Sequence, residues 1–90
     1  MESHSESVLA KHIEEGNAEY TYYLTIHTND THTTMFGVKI TLLLDENFYC
    51  GESGALFCDK GSAEVFLSFL SEHLVTPSNL PYVIEDALSF

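Results

Sequence analysis

The sequence predicts a small α+β domain, an antiparallel three-stranded β-meander with helices packed on one face, in the order α-β-β-β-α-α. Two observations predict this class. Apolar and polar residues alternate through the middle of the chain, as in half-buried strands, and apolar residues recur at helical spacing toward the C-terminus. The length of 90 residues and the hydrophobic content of 44% allow one packed core, so residues 1–90 are predicted to form a single acidic domain.

The N-terminal segment is predicted to form a short helix from about Ser5 to Glu15. Ser3 and Glu6 have the spacing of a capping box, and Gly16 is a typical residue at a helix end. Between them, His12 lies at the edge of an apolar helical face and is interpreted as a packing residue. That face carries Val8, Leu9, His12 and Ile13.

Two strands with a period of two residues follow this helix, joined by a turn at Thr28 to Thr31. The inward face of the first strand carries Tyr20, Tyr22, Leu24 and Ile26. The inward face of the second carries Phe36, Val38, Ile40, Leu42 and Leu44. The outward face of both is expected to stay partly open, as a partner surface or a dimer seam, and it carries Tyr23, Thr25, His27, Lys39, Thr41 and Leu43.

A second turn at Asp45, Glu46 and Asn47 is predicted to lead into a third strand, or a short hairpin, between Phe48 and Cys58. The glycines at positions 51 and 54 and the serine at 53 interrupt this segment. The sheet therefore has three predicted strands.

Two helices are predicted after the sheet. Ser62 is expected to cap the first, with Glu64 in its first turn and His73 in its last. The apolar stripe expected to cover the sheet consists of Val65, Phe66, Phe69, Leu70 and Leu74. The last helix begins near Pro81, and its inward residues are Val83, Ile84, Ala87 and Leu88.

The charge balance limits the partners of this chain more than any motif does. The chain has fourteen acidic residues, three lysines and no arginine, which gives a net charge of −11. Such a surface repels nucleic acid and anionic membranes, so the expected partner is a basic protein. The longest apolar run is too short to span a membrane, and the first ten residues lack the basic and apolar regions of a signal peptide, so the predicted location is cytoplasmic.

Part of the C-terminal half resembles a family of small bacterial proteins of unknown function. The resemblance involves Phe36-Gly37-Val38-Lys39-Ile40, Leu74-Val75-Thr76-Pro77-Ser78-Asn79-Leu80 and Val83-Ile84-Glu85-Asp86-Ala87-Leu88. The family pairs a G-[IV]-K-I strand with a V-[ST]-P-x-x-L-x-x-V-[IV]-E-D tail. The resemblance implies a shared fold and a bacterial or phage setting, hence the cytosol of a bacterial host, and it implies no activity.

No motif predicts catalysis, a cofactor or a metal. The segment 51–55 resembles a nucleophile elbow around Ser53, but its fifth residue is alanine and it is interpreted as a glycine-rich turn. Cys50 and Cys58 are interpreted as free, partly buried thiols, with a disulfide or half of a zinc site as alternatives. His27 and His32 flank a turn and could lie side by side, although exposed histidines are common there.

The unbalanced charge favours a small acidic inhibitor that occupies a basic, nucleic-acid-binding surface of a partner such as a nuclease or a regulator. Anti-CRISPR proteins and other phage inhibitors are comparable in size and charge. The predicted contact residues are Asp45, Glu46, Glu52 and Asp59, with Tyr23 as an interface anchor. The alternative is a regulatory or structural bacterial domain that forms a homodimer through its open sheet face, with charge serving only solubility.

Overall fold

A computed structural model describes residues 4–88 as one four-stranded antiparallel sheet and two helices. The strands are β1 (His4–Glu15), β2 (Ala18–Thr28), β3 (Thr34–Leu44) and β4 (Asn47–Glu52), in the spatial order β1-β2-β3-β4. The helices are α1 (Lys60–Glu72) and α2 (Leu80–Leu88). The α+β class is confirmed, whereas three strands and the order α-β-β-β-α-α are wrong.

The first element is a strand and not the predicted helix. β1 pairs with β2 from His4 opposite Thr28 to Glu15 opposite Ala18, with a register shift between Ser7 and Leu9. Residues 16 and 17 join the two strands, and Gly16 supplies the positive φ of 61° that such a tight turn needs. The eleven-residue β2 would otherwise expose one edge of its backbone hydrogen-bonding groups. The predicted capping residue at position 3 lies outside the described residues.

The core lies between the helices and one face of the sheet, here called the inner face. Tyr22 and Leu24 of β2 and Val38 and Ile40 of β3 are fully buried there, as their alternation predicts. Burying each such side chain contributes about 1.5–3 kcal/mol. The Tyr22 hydroxyl donates a hydrogen bond to the backbone oxygen of Val75 at 3.1 Å. Burial, with a smaller contribution from Tyr20, raises the pKa of Tyr22 to about 12, so this tyrosine stays neutral in the core.

Helix α1 covers the inner face with a side that overlaps the predicted one only in part, since Leu70 is buried and Phe66 packs against the core as predicted. It packs on β2 and β3 through Ala63, Leu67 and Leu70, which are all buried. The predicted stripe is therefore wrong at Val65 and Phe69, whose side chains are 73% and 44% exposed. The N-cap is Asp59 and not Ser62, because the Asp59 carboxylate accepts a hydrogen bond from the Ser62 backbone nitrogen at 2.8 Å.

Helix α2 begins one residue before the predicted Pro81. Its first residue, Leu80, is 1% exposed and belongs to the core, and Val83 and Ile84 pack against the core as predicted. Ala87, predicted to point inward, is exposed. The side chain of Leu88 lies outside the described part of the chain.

The segment from Phe48 to Cys58 is only partly a strand. β4 ends at Glu52, and the chain then returns to β3, where the Phe36 backbone nitrogen donates to the Phe57 oxygen at 2.7 Å. This return passes so close to Gly37 that a side chain there would overlap the Gly54 carbonyl. Neither helix within residues 4–88 has the length and apolar character needed to cross a membrane.

Candidate partner-binding site

The sheet topology gathers carboxylates at one end of the sheet. In an antiparallel meander the β1–β2 turn and the β3–β4 turn lie at the same end, and here Ala18 pairs with Leu44 across the middle strands. Neighbouring strands are about 4.8 Å apart, so four strands place these residues along a row of roughly 14 Å. We call this group the acidic end, and its five exposed members are Glu14, Glu15, Glu19, Asp45 and Glu46.

The three lysines of the described chain lie elsewhere. Lys11 is three residues before Glu14, roughly 10 Å along β1. Lys39 pairs with Glu52 at the far end of β4, and Lys60 begins α1. The acidic end is therefore a region of uncompensated negative potential, apart from a nearby histidine.

The β3–β4 turn holds its two carboxylates on a strained backbone. Asp45 and Glu46 have φ values of 49° and 71°, in the left-handed region that glycine and asparagine prefer. A two-residue turn with positive φ at both positions matches the twist of the strands, and its preferred residues are Asn-Gly or Asp-Gly. Asp45 fits this preference, whereas Glu46 stands at the glycine position, where another residue costs about 1–2 kcal/mol. The neutral sequence Asn-Gly would therefore fit this turn with less backbone strain than the two charged residues present.

His12 lies beside this end, on the sheet face turned away from the helices, which we call the outer face. It is an exposed strand residue, so its predicted place on a helical packing face is wrong. Its Nδ1 is 3.0 Å from Thr21 Oγ1, and its Nε2 is 3.6 Å from a Glu14 oxygen and 3.7 Å from a Glu19 oxygen. When protonated, this ring offsets part of the negative charge.

His12, Glu14 and Glu19 are also the described residues whose arrangement could ligate a metal ion. Their ligand atoms lie within 4.8 Å of one another, and imidazole and carboxylate groups are ligands for zinc and related ions. A structural zinc site normally uses four protein ligands, however, and all three of these residues are exposed. The contacts present are those of a surface ion-pair network.

The predicted contact residues divide between the acidic end and other places. Asp45 and Glu46 lie together at this end, whereas Glu52 lies opposite Lys39 at the far end of β4. The two Asp59 carboxylate oxygens accept hydrogen bonds from the Ser62 backbone nitrogen and hydroxyl at 2.8 and 2.9 Å. These bonds hold the pKa of Asp59 below its usual value, and they give this side chain a capping role.

Tyr23 lies on the outer face, as its alternation with buried residues predicts. Its ring is half-buried, and the Lys39 Nζ lies 5.7 Å from the ring centroid, which is within cation–π range. No helix in the described chain packs on this face. At its β4 edge, Leu43 and Phe48 are paired neighbours with 39% and 66% exposure.

The other chemically interesting residues occupy ordinary structural roles. Cys50 and Cys58 are free, and both are exposed, so their predicted partial burial is wrong. Ser53 Oγ accepts a hydrogen bond from the Val38 backbone nitrogen at 2.9 Å and donates to the Gly54 oxygen at 2.8 Å, which ties it into the turn. The register pairs His27 with Met35 and not with His32, and His27 Nε2 lies 2.8 Å from Thr25 Oγ1.

A family model described as "Family of unknown function (DUF6514)" matches residues 3–89. The chain belongs to the DUF6514 family. The match covers the sheet and both helices, so the family relationship extends well beyond the C-terminal half that the sequence motifs indicated. Comparison of this DUF6514 chain with curated proteins and with solved structures found no match.

Sequence reasoning missed Glu14, Glu15 and Glu19 as neighbours of Asp45 and Glu46. The available signal was the pair Gly16-Asn17, because Gly-Asn between two segments of strand residues is a hairpin signal. Interpreting Gly16 as a helix stop separated these acids from the sheet. With the hairpin in place, the DUF6514 sheet brings together two groups of acids that are distant in sequence.

Proposed function

We propose that this DUF6514 protein is an acidic protein-binding inhibitor that occupies a basic, nucleic-acid-binding surface of a partner protein. The acidic end is the contact surface, and its carboxylates take the place of nucleic-acid phosphates. The observation that carries this proposal is the row of five exposed carboxylates at one end of the sheet, away from every lysine. The partner class is a basic nuclease or regulator, as for anti-CRISPR-like inhibitors.

The spacing of these charges supports the proposal. Five carboxylates across roughly 14 Å correspond to about one charge every 3 Å. One strand of a nucleic acid duplex carries one phosphate per 3.4 Å of helix axis, so lysines and arginines arranged for phosphates can meet a similar charge density here. The overall charge of −11 would also steer a basic partner toward the protein.

The energetics of the acidic end support a role beyond folding. Two like charges about 5 Å apart repel each other by roughly 0.8 kcal/mol even in bulk water. The backbone strain at Glu46, which stands where glycine is preferred, adds to this destabilisation. Solubility alone needs dispersed charge, and it does not need acids concentrated on strained turn positions.

The other predicted contacts lie outside the acidic end. Tyr23 would act as an aromatic anchor on the outer face, and Glu52 would extend the contact along β4. Asp59 is the weakest of the predicted contacts, because both of its carboxylate oxygens already bind Ser62.

The test begins with capture of partners from bacterial lysate at low salt, followed by purification of any basic nucleic-acid-binding protein retained. Its affinity for the DUF6514 protein is then measured by calorimetry from about 50 to 300 mM salt. The expected result is an affinity that falls steeply as salt rises, because exposed charges form the contact. An affinity that is unchanged across this range contradicts the proposal.

Self-association through the outer face is the second candidate function. The exposure of the paired residues Leu43 and Phe48, on the same outer face as Tyr23, favours it. A dimer formed there should depend on protein concentration, change little with salt and dissociate on Tyr23→Ala substitution. Sedimentation equilibrium of the wild type and this variant distinguishes the dimer from a monomer that binds a basic partner.

A further inference from the structure

Helix α1 has two apolar sides, and the sheet uses only one. Ala63, Leu67 and Leu70 face the sheet and are buried. Val65 and Phe69, spaced four residues apart, form a second stripe with 73% and 44% exposure. A surface helix of a small domain usually has one apolar stripe opposite a polar face. The second stripe on α1 is therefore available to another partner.

The second stripe forms one wall of a groove of about 560 Å³ between the two helices. Val83, Ile84 and Ala87 of α2 line the opposite wall, and Leu56 and Phe57 line one end. An aromatic row runs along the α1 side, with ring centroids 5.6 Å apart between Phe57 and Phe66 and 6.4 Å apart between Phe66 and Phe69. The lining is almost wholly apolar, and Asp86 is its one charged member.

One acidic side chain lines this apolar groove, and two others lie near it on or before α1. Asp86 lies in its α2 wall, and Glu72 follows Phe69 by three residues on the same side of α1. Asp59 caps the start of α1. Lys11 and Lys39 lie on strands of the sheet, so of the three lysines only Lys60 belongs to either groove helix. The groove thus combines an apolar lining with a mainly negative rim.

We propose that this groove binds a basic amphipathic helix of a partner protein. The α1 residues that line the groove run from Ser62 to Phe69, which is about 10 Å of helix, so the groove can accept about two turns of a helix lying along α1. The apolar residues of that helix, at positions i, i+3 or i+4 and i+7, would pack between α1 and α2. Its lysines and arginines would lie along the rim beside Glu72 and Asp86.

Charge separates this occupant from the other candidates. A second copy of the chain brings another −11 charges and another acidic rim, so the groove is poorly suited to self-association. An anionic membrane is repelled for the same reason. The inference does not depend on the proposed function, because the groove lies on the helical side of the sheet and the acidic end lies at the strand turns.

The experiment uses three fluorescent peptides of about 16 residues. The first is an amphipathic helix of leucine and lysine, the second has glutamate in place of lysine, and the third has the composition of the first in an order without an apolar stripe. Fluorescence anisotropy with the full chain at near-physiological salt should give micromolar binding of the first peptide. Binding of the second and third should be at least about tenfold weaker.

The matched variants are Val65→Ser with Phe69→Ser in the groove, and Phe48→Ser on the outer face. All three side chains are well exposed, so the fold should survive, and thermal melts verify this. The groove variant should weaken binding of the leucine–lysine peptide at least about tenfold, and Phe48→Ser should leave it unchanged.

Equal binding of the leucine–lysine peptide and its reordered counterpart would overturn the inference, since charge alone would then explain the binding. Unchanged affinity in the groove variant would overturn it too, as would a wild-type dimer that the groove variant dissociates. Asp45→Lys with Glu46→Lys should leave peptide affinity within about threefold, so failure of the groove inference is distinguishable from failure of the proposed function.

Discussion

The two ends of the sheet differ in how they use their polar side chains. At the β2–β3 end, the Asn29 side-chain oxygen accepts hydrogen bonds from the Thr31 and Thr33 backbone nitrogens, both at 3.0 Å, and from the Thr31 hydroxyl at 2.8 Å. At the acidic end, two tight turns direct carboxylates into solvent, and Asp45 and Glu46 do so from backbone positions with positive φ. The first end stabilises its own loop, whereas the second presents groups that an outside partner can bind.

The largest expected effect comes from reversing charge at the acidic end. Asp45→Lys with Glu46→Lys should weaken binding to a basic partner about 100-fold at low salt, because attraction is replaced by repulsion. The measurement is calorimetric titration of the purified partner with wild type and variant.

The matched control for this reversal is Asp30→Lys with Glu64→Lys. These exposed acids lie at the β2–β3 end and on α1, and the change in net charge is the same. The control should retain affinity within about threefold. Equal losses in the two variants would show that total charge, and not the acidic end, governs binding.

The second prediction tests the self-stabilised end. Asn29→Ala removes three hydrogen bonds, two of them to backbone nitrogens, and should lower the free energy of unfolding by about 1–2 kcal/mol. Urea denaturation measures this change, and partner binding should not alter. Asp30→Ala, at the exposed neighbouring position, should stay within about 0.5 kcal/mol of wild type. A loss of partner affinity in Asn29→Ala would indicate that the partner binds the β2–β3 end and not the acidic end, which would contradict the proposal.

The third prediction separates stability from binding within one turn. Asp45→Asn with Glu46→Gly should raise the free energy of unfolding by about 1 kcal/mol, because asparagine and glycine tolerate the positive φ of these positions. The same variant should bind a basic partner about tenfold more weakly, because two contact charges are lost. Urea denaturation and calorimetry on one preparation give both values. A variant that is more stable and binds as well as wild type would assign these acids no role in recognition.

The smallest expected effect concerns Asp59. Like Asn29 at the β2–β3 end, this side chain accepts hydrogen bonds from its own chain and stabilises local structure. Asp59→Ala should destabilise the fold modestly through loss of the α1 cap, and Asp59→Asn should largely retain the cap. Because hydrogen bonds lower the folded-state pKa of Asp59, its stabilisation is complete above its unfolded pKa and is lost as pH falls through the folded value. Thermal melts between pH 7 and 2.5 should show a smaller acid-dependent loss in Asp59→Asn than in wild type.

Local pattern was sufficient to predict β2, β3 and α2. Strict alternation in β2 and β3 identified Tyr22, Leu24, Val38 and Ile40 as buried. On the outer face, which was expected to stay partly open, Leu43 is exposed but Thr25 is buried. The residues of β1 fit a helical and a strand period almost equally well. The segment forms a strand and not a helix because of the two-residue turn that follows it and because β2 needs a second partner strand. The pairing of β1 with β2 decides between the two, and the pattern of β1 alone does not show that pairing.

The candidate surfaces were harder to predict because they depend on tertiary structure. Glu19 and Asp45 are far apart in sequence and become neighbours only through the register that sets Ala18 opposite Leu44. On α1, two apolar stripes compete for the sheet, and the smaller side chain of Ala63 allows the closer approach. The stripe expected from the sequence included Leu70, which is buried, but also Val65 and Phe69, which are exposed.

Competition for nucleic acid tests the central claim most directly. The captured partner is first loaded with labelled nucleic acid, and the DUF6514 protein is then titrated in while anisotropy reports release of the label. The account predicts release by wild type and by Asp30→Lys with Glu64→Lys, and no release by Asp45→Lys with Glu46→Lys. Binding of wild type to a partner that keeps its nucleic acid, or equal release by the acidic-end variant, would contradict it.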